Sequence, residues 1–334
     1  MKINRFFKVF ISIVLGLIVF FAVINVIPPK KVMEDNPFII EKEERTLIAA
    51  HRGGKNLNPE NTFKAINYSF EQYNIDILEM DVCLTKDGHL VLNHNLTINA
   101  CSDVEIVMNN EDDYYIKDHN LNELQVFNFG YNFKNKDGLY PYRNILDNIS
   151  YEERSEFLKG NDLRIVTVEE LFEMYSETNL MYIIEIKDSG DIGYKAVDEL
   201  ITKMKKYNLM NKVAIGTFHD EIEQYIQDEY PTAIRGASEG TATVFIATQM
   251  FKVNLFDNSS FACLQIPTTR KFKGIKLNLV KESYINRAHR RGISVQYWTI
   301  NEKEEMRELI QKGADVIMTD NPDILYELLN EMGY

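Results

Sequence analysis

From Thr46 to the C-terminus, short apolar runs alternate with amphipathic segments, and few folds accept that rhythm. Runs at 46–52, 76–84, 89–94, 182–187, 213–218, 233–237, 262–267, 294–300 and 316–320 have the length and side-chain character of strands. Segments at 59–73, 168–177, 193–208, 219–229, 279–291, 302–312 and 322–332 show helical periodicity. Repeated β/α units of this kind form a parallel sheet covered by helices. Polar residues close the strand runs throughout the chain, not at one switch point. That favours an α/β TIM-type (β/α)8 barrel over an open doubly wound sheet. Nine runs for eight places leave one extra, expected at 233–237 or 262–267. Asn58-Pro59 and Asn321-Pro322 read as helix starts, and Thr167 with Glu170 and Asn301 with Glu304 as capping boxes or close variants. Residues 104–165, rich in Asn, Asp and Tyr with a short helical stretch at 151–158, break the rhythm. They read as an inserted subdomain, because so long an irregular segment usually covers a site.

Ahead of the rhythm stands a different kind of segment. Residues 9–27, VFISIVLGLIVFFAVINVI, carry no charge, and only Ser12 and Asn25 interrupt them strongly. As a helix this run spans ~30 Å, the thickness of a bilayer core, and it has no polar face for water. A cleaved signal peptide is the alternative, but its apolar part is usually shorter and no small-x-small site follows this run. Lys2, Arg5 and Lys8 precede it; Pro28-Pro29, Lys30 and Lys31 follow. That bias predicts a single-pass cell-membrane protein with a cytoplasmic N-terminus and an extracytoplasmic catalytic domain. The expected organisation is a tip and transmembrane anchor at 1–31, a charged stalk at 32–45 and the barrel at 46–334.

Composition narrows the partners. Residues 32–334 carry 32 basic against 50 acidic side chains, a surface that repels a nucleic-acid backbone. Cys83, Cys101 and Cys263 are scattered and odd in number, with neither zinc spacing nor a disulfide framework.

The densest chemistry lies between Thr46 and Asn95. Strand alternation sends Glu79, Asp81 and Cys83 to one face, and groups Ile183, Glu185 and Lys187 on another. Barrel interiors are usually Val, Ile or Leu, so buried carboxylates and a lysine need a reason. Converging carboxylate oxygens suit one hard divalent cation, Ca²⁺ or Mg²⁺. Taken singly, each residue passes for a polar position on a half-exposed strand; the set does not. His51 and His94 each follow an apolar strand, where a side chain points into a barrel mouth, and two such imidazoles suit a base and an acid on opposite sides of a phosphorus centre. Arg52 offers bidentate donors to phosphate and Lys187 a point charge. His89, His119, His219 and His289 read as surface or hydrogen-bonded histidines, and Glu60 as a carboxylate favoured near a helix start.

In order along the chain stand HRGG at 51–54, PENT at 59–62, EMD at 79–81, KDGHLVLNH at 86–94, EIK at 185–187, GTF at 216–218, YWTIN at 297–301 and MTDNP at 318–322. On these motifs residues 46–330 resemble the glycerophosphodiester phosphodiesterase family. The resemblance implies a β/α barrel with a divalent ion held by Glu79, Asp81 and Glu185. His51 and His94 map to that family's acid/base pair, and Arg52 and Lys187 to its phosphate contacts. Trp298 would pack against the glycerol. It further implies attack by the substrate's own glycerol hydroxyl, a cyclic phosphate opened by water, and release of glycerol phosphate and an alcohol. Two departures stand out: His94-Asn95 replaces the usual His-Asp, and LTINACSD at 96–103 lacks a common arginine. They bear on rate and substrate choice more than on reaction class. Two rivals follow: a lysophospholipase D with residues 241–256 as a lipid-facing lip, and an inactive barrel that binds phosphodiesters or a partner protein. Residues 241–256 fit a barrel helix better than a lip.

Overall fold

The structure, a computed structural model, describes residues 5–41, 43–272 and 274–334; Lys2 lies outside them. Eleven strands are present among the described residues: β1 Leu47–His51, β2 Ile77–Leu84, β3 Leu90–Leu92, β4 Met181–Ile186, β5 Val213–Gly216, β6 Ile234–Arg235, β7 Cys263–Ile266, β8 Thr269–Phe272, β9 Ile275–Asn278, β10 Ser294–Tyr297 and β11 Val316–Thr319. Eight of them run parallel in the order β6-β5-β4-β2-β1-β11-β10-β7. A parallel bridge between Gly236 and Cys263 joins the two ends, with the Ala262 amide donating to the Arg235 carbonyl at 2.9 Å. The result is the expected TIM-type barrel.

Both 233–237 and 262–267 supply barrel strands, against expectation, and the extra strand is 89–94. Within it β3 pairs antiparallel with β2, Val82 opposite Leu92. The reason is chain length. Only the turn around Gly88, at φ +84°, separates the two strands, and so short a link cannot make the crossover that parallel strands need. A second departure is the antiparallel hairpin β8–β9, which the apolar pattern had not marked.

Helix boundaries follow local hydrogen bonding. The helix expected from Pro59 begins instead at Phe63, where the Thr62 hydroxyl accepts from the Ala65 amide. Thr167 and Glu170 form the expected capping box, and Pro322 opens the last helix behind Asn321. Asn301 does not cap; the helix after it starts at Lys303 behind Glu302, and the Asn301 side chain turns to Asp320. The 241–256 segment is largely a barrel helix, Glu239–Met250, with Phe245 and Ile246 buried.

Packing divides into layers. Between barrel and helices lies the main core, with Leu78, Met80, Tyr182, Ile184 and Val295 facing Phe172, Val197, Ile285 and Leu325. Inside the barrel the bottom is closed by Ala49, Ile77, Ile183, Ala214, Ile234, Cys263 and Val316, with Phe38 fully buried among them. Within 32–45, expected as a stalk, Asn36 and Phe38 thus lie under the barrel. Ser294 Oγ donates to the Phe38 carbonyl at 2.7 Å, and Asn36 Nδ2 to the carbonyls of Ala262 and Gly292. Lack of periodicity here reflects a plug, not an exposed tether. The 104–165 region has its own small core of Ile116, Leu124, Phe127 and Phe129, continued by Val91 and Ile98, and an ion pair between Arg154 and Asp103. Its helical stretch spans Tyr151–Glu153 and Arg154–Gly160. The N-terminal helix Arg5–Val26 is long and apolar enough to cross a membrane, with an 18-residue stretch of mean hydropathy 2.9.

Candidate active site

A cleft of about 250 Å³ opens at the C-terminal ends of the strands. Strand register assembles it: His51 on β1 lies beside Glu79 on β2, and Asp81 beside Glu185 on β4. Parallel strands at this spacing turn residues far apart in sequence into neighbours. All eight residues expected from the sequence line the cleft or touch its charged centre. His51, Arg52, Glu79, Asp81, His94, Glu185 and Trp298 face the cavity. Lys187, just beyond β4, lays its ammonium 2.6 Å from Glu185 Oε1 and 3.5 Å from Asp81 Oδ1. Cys83 instead points into the core beside the insertion, because β2 continues past the cleft.

Three carboxylates converge. One oxygen each from Glu79, Asp81 and Glu185 lies within 4.8 Å of the other two. Glu79 and Asp81 are buried. Burial pushes the Glu79 carboxyl up to about 7, with the Asp81 and Glu185 charges adding and His51 opposing. Burial likewise raises Glu185, although Lys187 pulls it down. Such a set is costly without a cation, and its hard oxygen donors fit a divalent ion. In the chain alone, Lys187 and Arg52 offset part of the charge, with Arg52 Nε 3.3 Å from Asp81 and its amide donating to Glu79 at 3.0 Å.

The two imidazoles sit in opposite surroundings. His51 Nδ1 bonds Asp320 Oδ1 at 2.5 Å, and Nε2 lies 3.8 Å from Glu79. Burial lowers its pKa, but the Glu79 and Asp320 carboxylates outweigh that and hold it above the ordinary value. His94 is pulled down, by burial first and then by Arg52 and Lys187. Its Nδ1 bonds Asn95 Oδ1 at 2.9 Å. Asn95 therefore keeps the hydrogen bond that an aspartate would make there, without the charge.

Five contributors were not assigned to the site from sequence. Asp320, at the tip of β11, is itself fixed by Asn301 Nδ2 at 2.8 Å, while its amide donates to Asn301 Oδ1. Both lie in quoted motifs, but only the closed barrel sets β1, β10 and β11 side by side. Lys55 reaches Asp320 at 3.6 Å. Asn61 donates to Asp81 at 3.4 Å. Glu60 lies just ahead of the helix that begins at Phe63, near a helix start as expected, and there it binds Arg52 at 3.1 Å. Gly54 shows why the turn after Arg52 is glycine: at φ +92° a Cβ would lie 2.5 Å from Ser69 Oγ. Phe129 and Phe133 of the insertion, with Asn95 and Cys101 just before it, line an adjoining cavity of about 360 Å³ together with Arg52, Lys55 and Glu60. The Phe218 and Trp298 rings form a T-shaped pair with centroids 5.7 Å apart.

Comparison with known proteins agrees with this geometry. The model of the glycerophosphoryl diester phosphodiesterase family matches residues 51–324. A glycerophosphodiester phosphodiesterase of Caldanaerobacter subterraneus subsp. tengcongensis is 28% identical over 290 residues, covering 86% of this chain and all of that one. Lysophospholipase D GDPD1 of Homo sapiens is 26% identical over 310 residues, covering 86% and 88% of the two chains. Among solved structures, an Oleispira antarctica phosphodiesterase in complex with the product sn-glycerol-3-phosphate has a TM-score of 0.60 at 18% identity, with 86% of this chain and 97% of that one covered. At that identity the likeness carries the fold alone.

Proposed function

Because the chain belongs to the glycerophosphoryl diester phosphodiesterase family and is a phosphodiester hydrolase, we propose that it cleaves glycerophosphodiesters to glycerol 3-phosphate and an alcohol at the cleft around His51 and His94. The observation that carries this reading is the meeting of two imidazoles, two cationic side chains and three carboxylates in one barrel mouth. Arg52 and Lys187 hold the phosphoryl oxygens, and Trp298 with Phe218 forms an apolar wall for the glycerol carbons. One imidazole takes the proton of the substrate's glycerol hydroxyl as its oxygen attacks phosphorus, and the other gives a proton to the departing alcohol oxygen. Water then opens the cyclic phosphate with the two roles exchanged. Asp320 keeps His51 turned toward the cleft. Glu79, Asp81 and Glu185 would hold a divalent cation, Ca²⁺ or Mg²⁺, whose charge stabilises phosphoryl oxygens and acidifies a hydroxyl. The N-terminal helix fits a membrane anchor, with the N-terminus cytoplasmic and the barrel on the other side.

The test uses the detergent-solubilised full chain with glycerophosphocholine, glycerophosphoglycerol and a lysophospholipid, with Ca²⁺, Mg²⁺ or chelator. Cation-dependent glycerol 3-phosphate is the expected product. Lysophosphatidic acid alone would move the reading to a lysophospholipase D, the activity named for the human relative. His51→Ala should lower kcat by roughly 10²–10⁴-fold while leaving substrate binding largely intact. Normal turnover by that variant would overturn the mechanism.

A further inference from the structure

The last turns of helix Arg5–Val26 meet the barrel, and they do so at the bottom. The Phe20 ring stacks on Phe256 with centroids 6.4 Å apart, Asn25 Nδ2 donates to the Lys252 carbonyl at 3.0 Å, and Arg290 donates to the Asn25 carbonyl at 3.3 Å. Lys252 and Phe256 precede β7 and Arg290 precedes β10, so all three belong to loops that enter strands from below. The catalytic mouth is at the other end, where His51 and Asp320 leave β1 and β11.

The loop touched by the helix is apolar and open. Phe251 is 70% and Phe256 59% exposed, next to exposed Met250. Both rings stay mostly open, Phe256 even with Phe20 stacked on it, although both are large enough to be costly in water. Phe20 lies six residues before Val26, or ~9 Å down the helix axis, and Phe256 reaches that level. A bilayer that takes up residues 9–27 must therefore meet Phe256 as well. Exposed cations surround the junction: Lys30, Lys252 and Arg290, against Asp35, while Lys31 is paired with Glu34. Asn25, one of the two polar interruptions of the apolar run, gains a partner here that hydrocarbon would not offer.

We propose that the barrel sits bottom-down on the bilayer that holds the N-terminal helix, with Phe251 and Phe256 at the acyl–headgroup boundary, the flanking cations among anionic headgroups, and the mouth facing away toward water. The depth and composition match those of an interfacial contact. This inference rests on the anchor and phosphodiesterase readings above, and it narrows the substrate. A single-chain lipid in the same bilayer keeps its diester at the headgroups, a barrel height away from His51, and reaches the mouth only by bringing its chain into water. Water-soluble glycerophosphodiesters arrive without that step.

The full chain in nanodiscs containing phosphatidylglycerol and brominated phosphatidylcholine tests the orientation. Trp298, the sole tryptophan, reports the mouth in the natural chain. Trp298→Phe combined with Phe256→Trp reports the loop, and Trp298→Phe with Phe10→Trp reports the anchor. Bromine should quench the tryptophans at 10 and 256 by at least half and leave Trp298 unchanged. Quenching at 10 but not at 256 overturns the docking, whether emission at 256 is water-like or blue from contact with a second copy. Quenching of Trp298 overturns the orientation, and no quenching at either 10 or 256 overturns both docking and anchor. In the natural chain, glycerophosphocholine turnover should be equal in nanodiscs and detergent, while a lysophospholipid in the same disc should be cut several-fold more slowly than in detergent. Equal rates for the lysophospholipid in both would sink the substrate inference. Absence of all turnover would sink the phosphodiesterase reading while leaving the quenching result standing.

Discussion

The side chains around the two imidazoles set how each would titrate. Asp320 holds His51 on Nδ1 and raises its pKa, opposed by burial. Asp320→Asn keeps a polar partner but removes the charge. The limb of the pH–kcat/KM profile belonging to His51 should then move to lower pH, with kcat down by roughly 10²-fold. A loss of rate with an unmoved profile would mean that Asp320 acts only on folding. Asn95→Asp works the other way. A carboxylate beside His94 favours its protonated form, so the His94 limb should shift to higher pH while the hydrogen bond at Nδ1 persists. These histidines could be selected from sequence because each ended an apolar run and stood in an ordered motif. The roles of Asp320 and Lys55 could not, since each acts through a contact with a residue distant in the chain or across the mouth.

Among the elements, strand β1 and the residues before it show how the barrel is closed. Phe38 fills the bottom of the barrel from a segment with no regular structure, and its backbone is fixed by Ser294 and Asn36. Phe38→Ala should cost about 3–5 kcal/mol through lost burial and a residual cavity. At this chain size that lowers Tm by roughly 10 °C, measurable by thermal unfolding in detergent. A negligible change would mean that the plug does not contribute to barrel stability. The extra strand has an equally local cause. The link from Leu84 to Leu90 is too short for a crossover, a constraint readable in the sequence from spacing alone. The hairpin β8–β9 left no comparable mark, because strands of four residues are too short to impose a readable period.

At the scale of the whole molecule, the buried carboxylates link stability to pH and cation. Glu79 titrates at about 7 in the folded chain, above its ordinary value of 4.5, so the folded state binds more protons than the unfolded one between those values. Its contribution is therefore present at low pH and lost as pH rises through about 7. With chelator, Tm should fall across that window. A divalent ion requires the ionised carboxylates, so the Tm gain on adding Ca²⁺ or Mg²⁺ should be larger at pH 8 than at pH 5.5. A cation effect independent of pH would place the ion elsewhere.

By itself the sequence determined the class of barrel, the apolar N-terminal helix, and the eight side chains that gather at the mouth. Those features are written in local periodicity, in the spacing of charged residues along single strands, and in short ordered motifs. Tertiary structure alone decided that Phe38 plugs the bottom, that Asp320 orients His51, and that the helix meets the barrel opposite the mouth. Each depends on strand register and ring closure, which bring together residues hundreds of positions apart and leave no periodic trace in the chain.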